Sequence, residues 1–270
     1  MTTSRQRIFF EPFGARPLET VLELQEPPFA RGREPFLQLR YVERYLKELK
    51  CGTVAVEWHY IDRDYMEDHS VFYSRNFSPY ENCCKRLHFF SGAPDDVRKQ
   101  LNGLVEAAPK LGDEPFRQQC LAFSDERYLG FSVIKPLHGS PVGRTVLGCY
   151  PNDSKEFTRN FDCTRVYYAH FLGVELSVRG LAFQQQDTGV SACATTAVWA
   201  AIQKVRDLEG ISAATPAQIT TLASPYSLRF GRTIPSEPGL SIDQMCQAIR
   251  PPGPSPHLFL PVRPDIARRI

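Results

Sequence analysis

The residues best suited to chemistry lie in Phe183–Val205, FQQQDTGVSACATTAVWAAIQKV: one thiol, Cys193, and three amides, Gln184, Gln185 and Gln186, seven to nine residues before it. Thr188-Gly189 supplies a turn between them, and the apolar, alanine-rich run that opens at Cys193 predicts a helix burying Ala197, Val198, Ala201, Ile202 and Val205. The positive end of a helix dipole favours a thiolate in the first turn, and a folded-back glutamine amide can donate to a developing oxyanion. Types and spacing therefore suit attack of sulfur on a carbonyl. Such chemistry also needs a proton acceptor, normally an imidazole.

This stretch resembles the start of the papain-like cysteine peptidases, in which a Gln, a Gly-containing loop and a Cys open the long central helix. The resemblance implies that Gln186, or alternatively Gln185, is the oxyanion glutamine and that Cys193 is the nucleophile. Ser-Ala-Cys-Ala stands here in place of the Gly-Ser-Cys-Trp run of the plant and lysosomal enzymes. A second register follows the bacterial bacteriocin-processing members, with Asp-Cys-Gly-x-Ala-Cys; it sets Thr188 at the nucleophile and implies an inactive site. A third reading makes Cys193 a buried core residue of an alanine-rich helix. The family order places the base after the Cys, at the mouth of a strand. His257, in Pro256-His-Leu-Phe-Leu260, fits that order with Asp265 downstream, and a base beyond Ile270 is the alternative. His138 or His170 would break the order.

Other chemistries find less support. His59, His69, Cys83, Cys84 and His88 fall close together, yet without CxxC or HxxxH spacing, so no metal site is expected. Neither a GxxxxGK[ST] nor a GxGxxG run occurs, and an acetyl-coenzyme A-type acyltransferase remains an analogy of fold alone. The 32 basic and 30 acidic residues leave a net charge of +2, which gives no warrant for a nucleic-acid partner. No apolar run reaches membrane-spanning length and no secretory signal is legible, so a cytoplasmic protein with eight free thiols is expected.

The elements that must hold the thiol read as follows. Residues 1–35, rich in proline, predict an extended arm. Tyr41, Val42, Tyr45, Leu46 and Leu49 form a helical stripe, and Thr53–Tyr60 alternates as a half-buried strand with Ala55, Glu57 and His59 on its polar face. The aromatic segment from Tyr65 to Phe90 predicts short helices or turns packing rings inward, or a surface for a protein partner. Pro94–Ala108 predicts a helix, with a short one around Glu114–Leu121. Arg127–Lys135 pairs with Gly143–Tyr150, and Cys163–Phe171 and Val174–Phe183 bracket a Leu172-Gly173 hairpin. Capping boxes begin helices at Thr215 and Ser241, and residues 264–270 read as the start of another.

Together these predict an α+β protein: an arm over 1–35, a mixed domain over 36–180, and a papain-like domain over 181–270, incomplete at its C-terminus. The expected function is a cysteine hydrolase, peptidase or isopeptidase, with Cys193, Gln186 and His257 as site residues, a peptide or protein substrate and no cofactor. A non-catalytic papain-like binding or regulatory protein is the alternative, and acyl transfer through the same Cys a further one.

Overall fold

The computed structural model describes residues 7–24, 36–75, 80–137, 139–151, 158–186, 193–211, 214–223, 240–250 and 255–258. It is a mixed α+β structure. Five strands form one antiparallel sheet in the order β1 (Arg7–Pro12), β2 (Cys51–Tyr60), β3 (Cys84–Ser91), β4 (Tyr128–Ile134) and β5 (Val142–Leu147). A separate hairpin, β6 (Arg165–Phe171) and β7 (Val174–Gly180), turns through Leu172 and Gly173, both at positive φ, as a two-residue turn matched to strand twist requires.

Both faces of the sheet are covered. On one face, α1 (Leu18–Val21) and α2 (Leu37–Glu48) bury Leu18, Leu39, Val42 and Leu46 against Val54, Val56, Leu87 and Phe89. On the other, α4 (Pro94–Ala107), α5 (Asp113–Arg127) and the hairpin close over Ala55, Phe90, Phe131 and Val146. Gly180 allows the end of the hairpin to meet the sheet, since a Cβ there would stand 2.3 Å from the Leu147 carbonyl oxygen.

Three expectations are corrected by this arrangement. Part of the proline-rich arm is an edge strand, because Ile8, Phe9 and Phe10 pair with β2 and the nearest proline, Pro12, ends the ladder where no further pairing is needed. The polar face assigned to β2 is largely buried: Ala55 is fully buried, Glu57 is 7% exposed with its charge met by Arg86 across the ladder, and His59 is half-buried. Finally, Cys84–Ser91 is a central strand, although Lys85, Arg86 and His88 obscure its apolar pattern.

The aromatic segment does pack inward. Its first part is α3 (Arg63–Val71), capped by the Asp62 carboxylate, which accepts from the Tyr65 amide at 3.1 Å. Tyr65 and Tyr73 stack at 6.0 Å, and Phe89 and Phe90 are fully buried. Beyond the hairpin come α6 (Cys193–Leu208), α7 (Pro216–Ala223) and α8 (Ile242–Ile249). Both capping boxes form, at Thr215 with Gln218 and at Ser241 with Gln244. Residues 264–270 and His138 lie outside the described residues.

Candidate active site

The thiol and its amide are brought together from the edge of the sheet. Phe183 bonds both ways to Thr145, at 2.8 and 2.9 Å, and the Gln185 amide donates to the Val142 carbonyl at 2.8 Å. The chain thus runs along β5 as a short outermost segment. Gln185 is its peg: Oε1 accepts from the Val142 amide, while Nε2 donates to Gly139 O at 3.1 Å and Gln38 Oε1 at 3.2 Å. With its donors and acceptor so engaged, Gln185 is committed to structure. Gln186, next along, is exposed, and its Oε1 accepts from the Cys193 thiol at 2.9 Å.

Helix α6 presents that thiol to solvent. Its buried face carries Thr195, Val198, Trp199, Ile202, Gln203 and Arg206. Cys193, Ala197, Ala201 and Val205, spaced four apart, are exposed. Burial of Ala197, Ala201 and Val205 was expected and does not occur; the polar residues Thr195, Gln203 and Arg206 go inward instead. The Gln203 amide is satisfied by the Trp199 carbonyl at 3.2 Å, and the Arg165 guanidinium reaches the Gln203 amide oxygen at 3.4 Å. The reading of Cys193 as a buried core thiol is therefore also corrected.

The helix is anchored at several points. Thr195 and Thr220 approach through their hydroxyls at 3.5 Å, joining α6 to α7. Helix α7 is tied to α3, where Asp68 accepts from the Ala217 amide at 3.1 Å and Glu67 from the Thr215 hydroxyl at 2.9 Å. Arg165 of β6 pairs with Asp207 at 2.7 Å.

The imidazoles are placed elsewhere. His257 is exposed in a segment, residues 255–258, without strand structure, and among the described residues no imidazole hydrogen-bonds to Cys193. Asp265 lies outside the described residues. His170 is exposed on β6 beside Glu175 at 3.8 Å, and His69 bonds to the Tyr80 carbonyl at 3.1 Å. His88 sits in the core between sheet and hairpin. Its Nδ1 meets the Tyr128 hydroxyl at 2.9 Å and its Nε2 stands 3.6 Å from Glu57 Oε2, which also accepts from Arg86 Nε at 2.7 Å.

That core cluster missed notice in the sequence because its members are far apart along the chain. Cross-strand alternation of Glu57 with Arg86 was the available signal. Burial pushes the His88 imidazole down to about 4, helped by the Arg86 charge and opposed by Glu57. Burial also works to raise the Glu57 carboxyl, but the His88 hydrogen bond and Arg86 charge outweigh it and hold the group below its ordinary value. The cluster is a neutral imidazole beside an ion pair, fully enclosed.

Among the described residues no three His, Cys, Asp or Glu side chains are grouped to hold a metal ion, and no helix is long and apolar enough to cross a membrane. All eight cysteines are free thiols. Set against protein-family models, curated proteins and solved structures, the chain matches none of them.

Proposed function

We propose that the protein is a thiol-dependent hydrolase of the papain-like kind, cleaving a peptide or isopeptide bond through Cys193. The observation that carries this reading is the contact of an exposed, helix-mounted thiol with the Gln186 amide at 2.9 Å. In the resting site the thiol donates to the amide oxygen. Turning that amide by half a rotation presents its N–H groups instead, the donors that a tetrahedral oxyanion requires. Cys193 would lose its proton to an imidazole, form the S–C bond and release the amine, which takes up the proton as the C–N bond breaks. Water then cleaves the thioester, returning the thiol and an acid. By chain order His257 is this reading's base, and the setting is a reducing, cytoplasmic one. No cofactor enters the scheme.

The test uses Cys163, which is also exposed, as an internal standard. Alkylation by iodoacetamide is followed at each site from pH 5 to 9 by peptide mass analysis. Cys193 should label about tenfold faster than Cys163 below pH 7, as an activated thiolate does. Equal rates would sink the proposal. A second reading, a papain-like shell that binds without cleaving, is favoured by the absence, among the described residues, of an imidazole bonded to Cys193. It expects no acyl-enzyme with peptidyl vinyl sulfone or ester probes.

A further inference from the structure

One end of the five-stranded sheet closes around a cleft of about 440 Å³ that the Cys193 chemistry does not use. Small-molecule sites commonly enclose roughly 300–1,000 Å³, with apolar walls and a few convergent polar groups. Here the wall includes an amine. Lys85 of β3 is the cross-strand neighbour of Trp58 on β2 and of Ile134 on β4, so the three side chains share one face of the sheet. Ile134 packs there with Leu24 and Phe36, which also line the cleft. Amine and apolar wall therefore lie on the same side.

Lys85 is half-buried. Its nitrogen lies 3.8 Å from the centroid of the Trp58 ring and donates to the Leu22 carbonyl. Neither contact requires a charge, since a neutral amine has one N–H for a carbonyl, a second for a ring face, and a lone pair besides. Glu23 and Glu81 line the same cleft and act on the nitrogen through their charges alone, which hold its proton more firmly. Burial outweighs them and pushes the ammonium down, so Lys85 gives up its proton more readily than an exposed lysine. A desolvated lysine in a cleft is suited to attack on a carbonyl carbon.

The backbone adds an independent sign. His59 (φ 68°) and Glu23 (φ 53°) both hold left-handed conformations in this wall, His59 at the register shift between Trp58 and Tyr60. Non-glycine residues keep such conformations where the surroundings over-determine them, often around ligands.

We propose that Lys85 is an imine-forming lysine and that the cleft takes an aldehyde with a flat apolar body, its ring packing on Leu24, Phe36 and Ile134. The Nζ lone pair forms the C–N bond while the carbonyl π pair moves to oxygen, which takes up a proton. The carbinolamine then loses that oxygen as water, with a proton from nitrogen, and the C=N bond forms. Glu23 and Glu81 are the carboxylates at hand to relay these protons. The site stands apart from Cys193 and does not depend on the hydrolase reading.

Reductive trapping on the full chain tests it. The protein is mixed with 2-naphthaldehyde and sodium cyanoborohydride at pH 7, hydride turns each imine into a stable secondary amine, and peptide mass analysis follows every lysine. Lys99 and Lys110, both exposed, serve as standards. Lys85 should be modified at least about tenfold faster than either, because the free amine and not the ammonium attacks. Its rate should saturate with aldehyde concentration, while theirs rises linearly. 2-Naphthalenemethanol, which has the ring without the carbonyl, should protect Lys85 and leave the standards unaffected. Cys193→Ala should change none of this, so loss of the hydrolase reading leaves this one standing. Labelling of Lys85 no faster than Lys99, a rate that does not saturate, or no protection by the alcohol would each overturn the proposal.

Discussion

Two sets of reactive groups divide this molecule. In the core, Glu57, Arg86, His88 and Tyr128 have a well-formed arrangement of carboxylate, guanidinium, imidazole and phenol, with His88 wholly buried. At the surface, Cys193 and Gln186 are exposed, with a single hydrogen bond between them. The imidazole is better ordered where solvent cannot reach it, and the thiol is reachable where no described imidazole bonds to it. Geometry alone would have ranked the core cluster first. Access reverses the ranking, because a polar cluster closed off from solvent specifies packing rather than turnover.

The sharpest way to break this comparison is to remove the sulfur. Cys193→Ala should eliminate labelling at that site and all thiol-dependent hydrolysis, while stability stays within about 0.5 kcal/mol, as for an exposed side chain. Activity that survives in this variant would move the chemistry elsewhere. Conversely, Arg86→Met should cost about 3–5 kcal/mol in urea unfolding, because it strands the Glu57 carboxylate in the core. Cys193 alkylation should be unchanged in that variant under folding conditions. Gln186→Ala comes next: under the proposed hydrolase, which uses this amide as an oxyanion donor, it should lower turnover by about 10²–10³-fold. Gln185→Ala, by contrast, should act through stability.

Acid titration separates the regions more finely. His88 is held neutral, its pKa pushed down to about 4 chiefly by burial, so the folded state refuses a proton that the unfolded chain accepts below 6.5. Its stabilisation is complete above 6.5 and is lost as pH falls toward 4. Asp64 behaves oppositely. Burial and then the Asp62 charge, against Arg144, push its carboxyl up to about 6, so its contribution is complete below 3.8 and is lost as pH rises through 6. Each effect is on the order of 3 kcal/mol, and between pH 4 and 6 they offset one another. Asp64→Asn should therefore steepen the loss of thermal stability from pH 6.5 to 4. An unchanged slope would mean that His88 gains a proton without penalty.

How much of this was written in the sequence depended on whether the signal was local. The capping boxes at Thr215 and Ser241 were legible because each is completed within four residues, and the Leu172-Gly173 turn because Gly173 is suited to the positive φ it adopts. The Cys193–Gln186 contact was legible for a related reason: thiol and amide lie seven residues apart. Strand β3 was not, since Lys85 and Arg86 look like surface residues until Trp58 and Glu57 are set opposite them. The buried face of α6 was misjudged because Thr195, Gln203 and Arg206 find use for their polar ends inside, leaving Ala197 and Ala201 outside. No helical periodicity contains that information.

The peg at Gln185 makes the site unequally tolerant of changes in chain length. Six residues separate Gln186 from Cys193, and lengthening a connection of this size costs only tenths of a kcal/mol in closure entropy, about 0.6 kcal/mol per doubling. One glycine added after Gly189 should leave the thiol's reactivity within a few-fold. The same glycine placed between Phe183 and Gln184 would shift strand parity, carrying Gln184 into the peg's place and Gln185 to the sulfur. Two insertions of equal size, a few positions apart, should thus have opposite fates: one tolerated, the other read as a frameshift in space.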